Sequence, residues 1–436
     1  MTQKPVALTD IYNLFPPKAL TAEQKDLYQK TAAARGGESY EFHDSLYNRI
    51  KISREKSHIL VVGHGGCGKS TELRMLASKL RDDDIPSITI EAREDLDLYN
   101  FSYIDIFMLI AEGLTKFATG MNLEVDERII AAFREALSTK ITQKYLEKKT
   151  ETGVESSASL SATLPFLFHF ISKIAADLKV TSQQREELRR QIDPKMNEII
   201  KTLNELISEV NSRCPNRMVI IIDGLEKCRT EIAKKLFSED ISSLANINTH
   251  LVIACPINIF RSPAASILKG YFVAPTMPMI KTHHVDSVDK PYEKGVEVIK
   301  DLILIRLDWD SSFFEKGVLE EIIKMAGGSL RDTCRLVSDS AFEAYMRQKT
   351  TVDMDAAELS MNRLAKDLFF SAENAYFPMM KKIYNGYRTP SNDADLSALL
   401  YVGVVFEYNG EGWVDLHPLI RRYLDKRPEM LKEVSD

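Results

Sequence analysis

The chain has 436 residues, of which 44% are hydrophobic and 28% charged, with a formal net charge of −6. These are the proportions of a globular protein of roughly two to four domains, and they exclude a disordered chain or one drawn as a whole to nucleic acid or an anionic membrane. The five cysteines are scattered with no C-x-x-C pair, which excludes a disulfide framework and a zinc site of that spacing and points to a reducing compartment.

Residues 1–57 are polar and mixed, with Pro16-Pro17 early and a helical pattern over 40–52. They read as an N-terminal helical extension without the basic start and apolar core of a signal peptide. An apolar run at 59–62 predicts a first strand. It leads into Gly63 to Ser70, G-H-G-G-C-G-K-S, and then into a helix with Leu73, Leu76 and Leu80 on one face. Asp82-Asp83-Asp84 is a solvated turn. Alternating Ile88, Ile90 and Ala92 predict a second strand over 85–92, and 101–117 an apolar helix.

Residues 119–213 read as a helical insertion. Its segment 148–163 is rich in Ser, Thr, Gly and Glu and reads as a loop. Leu164, Leu167, Ile171, Ile174, Ala175 and Leu178 mark one helix face, either buried or docking a second subunit. His169, Lys173, Asp177 and Lys179 interrupt this stretch, so it is no membrane span. Thr181-x-x-Gln184 resembles a capping box, and Asp193-Pro194 a second helix start. Ile192, Met196, Ile199, Leu203, Leu206 and Val210 follow at a spacing suited to intramolecular helix packing.

The run 218–223 ends in Asp223 and reads as a strand buried on both faces, as does 250–254. A fifth strand falls within 272–280, interrupted by Pro275 and Pro278. Strands alternating with helices predict an α/β fold, a parallel P-loop sheet with helices on both faces, over 58–285. From 291 on the pattern is helical (291–307, 312–326, 329–347, 353–368), an α-helical lid over 286–366. A helix at 396–400, a hairpin at 404–416 and a helix at 419–424 suggest a winged helix over 367–436.

The segment Gly63, His64, Gly65, Gly66, Cys67, Gly68, Lys69, Ser70 meets every required position of G-x-x-x-x-G-K-[S/T]. Strand, glycine loop and helix N-terminus make an anion site, with Thr71 continuing it. The expected ligands are ATP and Mg²⁺, with Lys69 on the outer phosphates and Ser70 and Asp223 at the metal. Many ATPases place an acid directly after that aspartate; here the position is Gly224. The candidates for positioning the attacking water are therefore Glu226, three residues on, and Glu91, at the end of a strand expected beside that of Asp223. Arg331, at the helix start in G-G-S-L-R, is placed to report a γ-phosphate by a charge-assisted bond. Arg261 is a candidate sensor, or an arginine finger for a neighbouring subunit.

These motifs, with V-I-I-I-D-G-L-E-K (219–227), L-V-I-A-C-P (251–256), A-G-G-S-L-R (326–331) and V-D-L-H-P-L-I-R-R-Y-L (414–424), resemble the AAA+/STAND group of P-loop ATPases over about 55–425. The resemblance implies a nucleotide switch in which a winged-helix histidine contacts the β-phosphate of ADP. Leu416-His417-Pro418 stands at that place, with the histidine but not the aspartate of the family's M-H-D-like motif. STAND proteins add sensor and effector parts, so the resemblance implies an ATPase subunit, homo-oligomeric and cytoplasmic, acting on a protein effector encoded separately, as in bacterial anti-phage or conflict systems. Two alternatives stand beside it. One is a DNA-engaging initiator or loader, disfavoured because residues 367–436 hold more acids than bases. The other is a scaffold that binds nucleotide without turnover, which Gly224 keeps open.

Overall fold

The computed structural model describes residues 5–36, 39–139, 142, 163–179, 183–372, 374–408 and 412–431. The loop expected over 148–163 (Thr163 apart), the cap residue Thr181 and the turn residues 409–411 lie outside the described residues.

The chain starts with α1 (Leu8–Leu14) and reaches α2 (Phe42–Ile52), β1 (His58–Gly63), α3 (Lys69–Asp82), β2 (Ser87–Glu91) and α4 (Tyr103–Gly120). The insertion supplies α5 (Glu127–Ala136), α6 (Leu164–Lys179), α7 (Gln183–Ile192) and α8 (Met196–Ser212). Strands β3 (Val219–Asp223), β4 (His250–Pro256) and β5 (Thr276–Met277) complete a five-stranded sheet in the order β2-β3-β4-β1-β5. All pairings in it are parallel.

Every residue of β1, β3 and β4 is buried, as their unbroken apolar runs require of strands covered on both faces. Alternation sends Ile59, Val61, Val219, Ile221, Val252 and Ala254 to one face, under α2 and α3 with Leu73, Leu76 and Leu80. Leu60, Val62, Ile220, Ile222, Leu251 and Ile253 go to the other face, under α4 and α8. Each such side chain contributes about 1.5–3 kcal/mol. The apolar face of α6 belongs to the same core: Leu167, Ile171 and Ile174 are fully buried beside α4. That face is therefore not free to dock a second subunit. Asp193-Pro194 differs from the expected helix start. It forms a 3₁₀ joint, Asp193–Lys195, through which α7 runs directly into α8, and the Asp193 carboxylate accepts from Tyr103 Oη at 2.6 Å instead of capping.

A short hairpin that the sequence pattern did not announce, β6 (His283–His284) and β7 (Ser287–Pro291), leads into the helical region. There α9 (Glu293–Arg306), α10 (Val318–Ala326), α11 (Leu330–Met346) and α12 (Met354–Ser371) build a second core. Leu8, Ile11 and Phe15 pack into that core. Residues 5–36 are thus no free extension: they cross from the helical region to the sheet.

The last elements are α13 (Phe377–Tyr384), α14 (Ala394–Val402), β8 (Val405–Tyr408), β9 (Trp413–Leu416) and α15 (Pro418–Asp425). Their apolar residues join the sheet core through Leu399, Leu400 and Val405, and the helical core through Leu419. Tyr408 of β8 bridges Met279, and Met279 N–H donates to the Glu407 carbonyl at 3.2 Å. The hairpin is therefore stitched to the segment that follows β5.

Candidate functional site

A cavity of about 840 Å³ opens at the carboxyl ends of the strands, among the phosphate loop, the segment 17–35 and the helical region. Ligands of open α/β sheets bind at this end. Lys69, Ser70, Thr71, Asp223, Glu226, Glu91 and Arg331 line it, as do His64, Gly66 and Gly68.

The loop is held open from several sides. Gly66 has φ +88°, and a Cβ there would meet Ser329 Oγ at 2.8 Å and Arg331 Cβ at 2.9 Å. Its carbonyl accepts from Leu330 N–H at 3.0 Å and Arg331 N–H at 3.4 Å. The start of α11 thus sits on the loop itself. Ser329 caps that helix by accepting from Asp332 N–H at 3.2 Å. Lys69 is buried and donates to the Gly63 and His64 carbonyls at 2.7 and 2.8 Å. Cys67 is buried against Met277 and Phe406, a packing position. Thr71 Oγ1 accepts from Leu20 N–H at 3.4 Å, tying the N-terminal segment to α3.

Asp223 and Glu226 face each other electrostatically. Burial, then the Glu226 charge, raises the Asp223 pKa, while the Ser70 hydroxyl bond opposes the rise. Asp223 Oδ1 and Glu226 Oε2 are both buried without a hydrogen-bond partner. The orphaned Asp223 oxygen beside the Ser70 hydroxyl begins an all-oxygen donor set that suits Mg²⁺. Among the described residues no three His, Cys, Asp or Glu gather into a metal cluster. The chain's own oxygens here would therefore be completed by water and phosphate, the usual way Mg²⁺ is held.

Gly224 explains itself. With φ +89° it starts the 3₁₀ turn Leu225–Lys227, which returns Glu226 toward Asp223. A side chain at that position would be strained. Glu91 pairs in register with Asp223, as expected of neighbouring strands, but Arg74 engages its carboxylate at 3.2 Å. Of the two acids, Glu226 is the one with a buried oxygen that no hydrogen bond takes.

Arg331 has no ion pair and no side-chain hydrogen bond among the described residues, and its guanidinium lies over Gly65. Two other expected residues are placed elsewhere. Arg261 does not line the cavity: its guanidinium is paired with Glu407 of β8, with Nε at 2.8 Å. His417 is also off the cavity wall. It is fully buried, caps α15 by accepting from Leu419 N–H at 3.1 Å, and stands 3.6 Å from Asp332. Its Nδ1 serves the helix, while its Nε2, on the side of Asp332, is buried without a hydrogen-bond partner.

His64, inside the phosphate loop, makes the contact between the loop and the C-terminal hairpin. Its Nε2 accepts from the Glu407 N–H at 2.8 Å, its Nδ1 pairs with the Leu400 carbonyl at 3.2 Å, and its ring meets Phe406 edge-on. Burial, with the Lys69 charge, pushes its pKa down to about 3, so the ring is neutral. The loop is thereby bonded to the C-terminal hairpin.

Sequence reasoning missed the wall formed by residues 17–35. Arg35 is buried and donates to the Cys67 carbonyl at 2.6 Å, to Pro278, and to Thr31 Oγ1 at 2.9 Å. Tyr28 Oη donates to Glu72 at 2.8 Å and to Glu41 at 3.1 Å, and His43 Nδ1 meets Glu72 at 2.8 Å. No motif or periodic pattern marks residues 17–35; the helical pattern over 40–52 announced only the helix that carries His43.

The KAP family P-loop domain matches residues 40–253. Comparison with curated proteins gives no match. Among solved structures, Cdc6p from Pyrobaculum aerophilum is similar at 13% identity, covering 96% of both chains with a TM-score of 0.38. The Aeropyrum pernix ORC1 protein in complex with DNA aligns at 11% identity, again over 96% of both, with a TM-score of 0.41. The Thermotoga maritima RuvB Holliday junction branch migration motor aligns at 13% identity over 94% of this chain and 98% of its own, with a TM-score of 0.33. The domain match, the sheet order and the loop geometry agree: the chain has a P-loop NTPase fold.

Proposed function

We propose that this chain is an ATP-binding, slowly hydrolysing molecular switch. One observation carries the reading. The same phosphate loop is bonded to the start of α11 through Gly66, to the C-terminal hairpin through His64, and to the N-terminal segment through Cys67 and Thr71. A change in what the loop holds is then felt by three separate parts of the chain, which is what a switch needs.

In this reading the loop amides and Lys69 hold the phosphates, and Ser70 and Asp223 hold Mg²⁺, which supplies charge neutralisation at the transferring phosphoryl group. Glu226 orients water with its free carboxylate oxygen. Arg331 distinguishes triphosphate from diphosphate. Arg74 on Glu91 keeps that acid out of the proton-handling role. The hairpin and the helices around it would act as a winged helix that passes the state of the loop to a separately encoded effector, in a cytoplasmic, homo-oligomeric assembly of the conflict-system kind. Among the described residues no helix is long and apolar enough to cross a membrane. The test is a comparison of partner capture by wild type and Lys69→Ala, each with ATP and with ADP. Capture that does not depend on nucleotide, or that survives Lys69→Ala unchanged, rules the switch out and leaves the scaffold reading.

A second reading, engagement of nucleic acid, has one observation in its favour. Lys366, Arg422, Lys426 and Arg427 line a groove of about 340 Å³ between α12 and α15. Against it, Arg422 is paired with Glu358 and Glu321, and Arg421 with Asp415, so the C-terminal cations do not form one face. Duplex binding with a steep salt dependence would support it.

A further inference from the structure

We infer that Arg306 is a nucleotide-contacting residue, donating to a hydrogen-bond acceptor of the nucleoside at the part of the cavity remote from Lys69. The inference rests on the nucleotide-binding reading above and adds a contact that no motif assigns.

Arg306 ends α9 and is only 8% exposed, yet it lines the cavity. Among the described residues its one hydrogen bond runs to the Leu302 carbonyl, a turn back on the same helix. It has no carboxylate partner among the described residues, and its guanidinium stands 5.9 Å from the Phe15 ring centroid. Burial depresses its pKa.

Buried guanidinium is costly unless paired, and the other buried arginines among the described residues each have a carboxylate or several acceptors. Arg185 bonds Asp97 at 2.9 Å, although its Nε has no partner. Arg189 bonds Asp105, Asn100 and Glu186. Arg35, also without an acid, spends its donors on two carbonyls and a hydroxyl. Of these four, Arg306 is the one with neither a carboxylate nor a second acceptor among the described residues, and its remaining donors stand at a cavity wall.

The position selects the partner. Leu330, Arg331 and Cys334 all face the cavity from α11. Leu330 touches the loop, since a Cβ at Gly68 would lie 3.2 Å from its Cδ1. Cys334 is one helical turn further along and is a close electrostatic neighbour of Arg306. Arg306 therefore sits a turn beyond the phosphates, beside Leu302 and Cys334, where a nucleoside follows. Guanidinium donates and never accepts, so its targets are the acceptors of base or ribose.

The test uses the full chain and calorimetric titration with ADP and with inorganic pyrophosphate. Arg306→Met keeps the aliphatic stem and removes every donor. The expected result is an ADP affinity about 10- to 100-fold weaker, with pyrophosphate affinity unchanged. The ligand-free variant should melt no lower than wild type, because an unpaired buried charge has been removed. Unchanged ADP affinity, or an equal loss for ADP and pyrophosphate, overturns the inference. So does a lower melting temperature with normal ADP binding, which marks a structural role. If Arg306→Met does not fold, Arg306→Gln, which keeps one donor amide, is expected to give an intermediate loss for ADP alone. Titrations with 7-deaza-ADP and 2′-deoxy-ADP separate base from ribose: the analogue whose penalty vanishes in the methionine variant carries the acceptor. Wild type that binds neither ADP nor pyrophosphate refutes the nucleotide reading itself, a different failure.

Discussion

Replacing His64 by phenylalanine probes the bond between the phosphate loop and the hairpin. The ring is fully buried and meets Phe406 at 5.5 Å between centroids, so phenylalanine keeps the volume and the edge-on contact. It removes both nitrogens. The Glu407 N–H and the Leu400 carbonyl, now bonded to them, lose their partners. An orphaned buried N–H costs about 1–3 kcal/mol and the lost carbonyl bond about 1 more, so the variant should be less stable by roughly 2–4 kcal/mol near neutral pH. The difference should shrink in acid. His64 has a folded pKa of about 3 against an ordinary 6.5, depressed by burial, Lys69 and Arg261. The unfolded chain therefore takes up the proton first as pH falls. The stability held by neutral His64 is whole above about 6.5 and is lost between there and about 3. Between pH 7 and pH 5 wild type loses about 2 kcal/mol from this group, and the phenylalanine variant loses none of it. His250, whose pKa is lowered by burial to about 4, adds the same slope to both proteins and cancels. Urea denaturation of both proteins at the two pH values measures the difference. Parallel losses of stability between pH 7 and pH 5 would refute the claim that His64 is a buried neutral bridge.

Three further outcomes follow from the site and the core. Glu226→Gln should lower ATP turnover about a hundredfold or more while leaving nucleotide affinity near wild type, whereas Glu91→Gln, whose carboxylate is already engaged by Arg74, should lower it far less; a phosphate-release assay compares them, and the reverse order would move the water-positioning role to Glu91. Arg331→Ala should narrow the preference for a triphosphate analogue over ADP by about tenfold, read by competitive titration, because the removed guanidinium has no structural partner to lose. Leu167→Ala, in the wholly buried face of α6, should destabilise the fold by about 2–5 kcal/mol without changing the oligomeric state seen by light scattering.

The parts of the molecule that were legible in the sequence are those set by local pattern. The unbroken runs 218–223 and 250–254 could only be central strands, and the glycine-lysine-serine spacing could only be read one way once a strand preceded it and a helix followed. Asp223 and Glu226 were within reach because both lie on one strand and its turn. Arg261 and His417 were located from motif position, which does not tell what holds each side chain: a distant carboxylate in one case and a local helix cap in the other. Glu407 lies 146 residues from Arg261, and the capped N–H of Leu419 is a purely local claim on His417. His64 shows the reverse case. A variable position inside the loop motif carries the contact to the hairpin, and nothing nearby in the sequence tells of Glu407, 343 residues away. The N-terminal wall was hidden likewise, since residues 17–35 have no periodic pattern and acquire their place only by crossing between two cores.

The central claim is that the loop of Gly63 to Ser70 binds and turns over nucleotide for this chain. The most direct measurement is ATP hydrolysis by the purified protein, with bound nucleotide identified and Lys69→Ala beside it. We predict bound ADP or ATP in the wild type, slow Mg²⁺-dependent turnover, and loss of both in the lysine variant. A wild type that carries no nucleotide, binds none on titration and shows the same rate as Lys69→Ala would contradict the account.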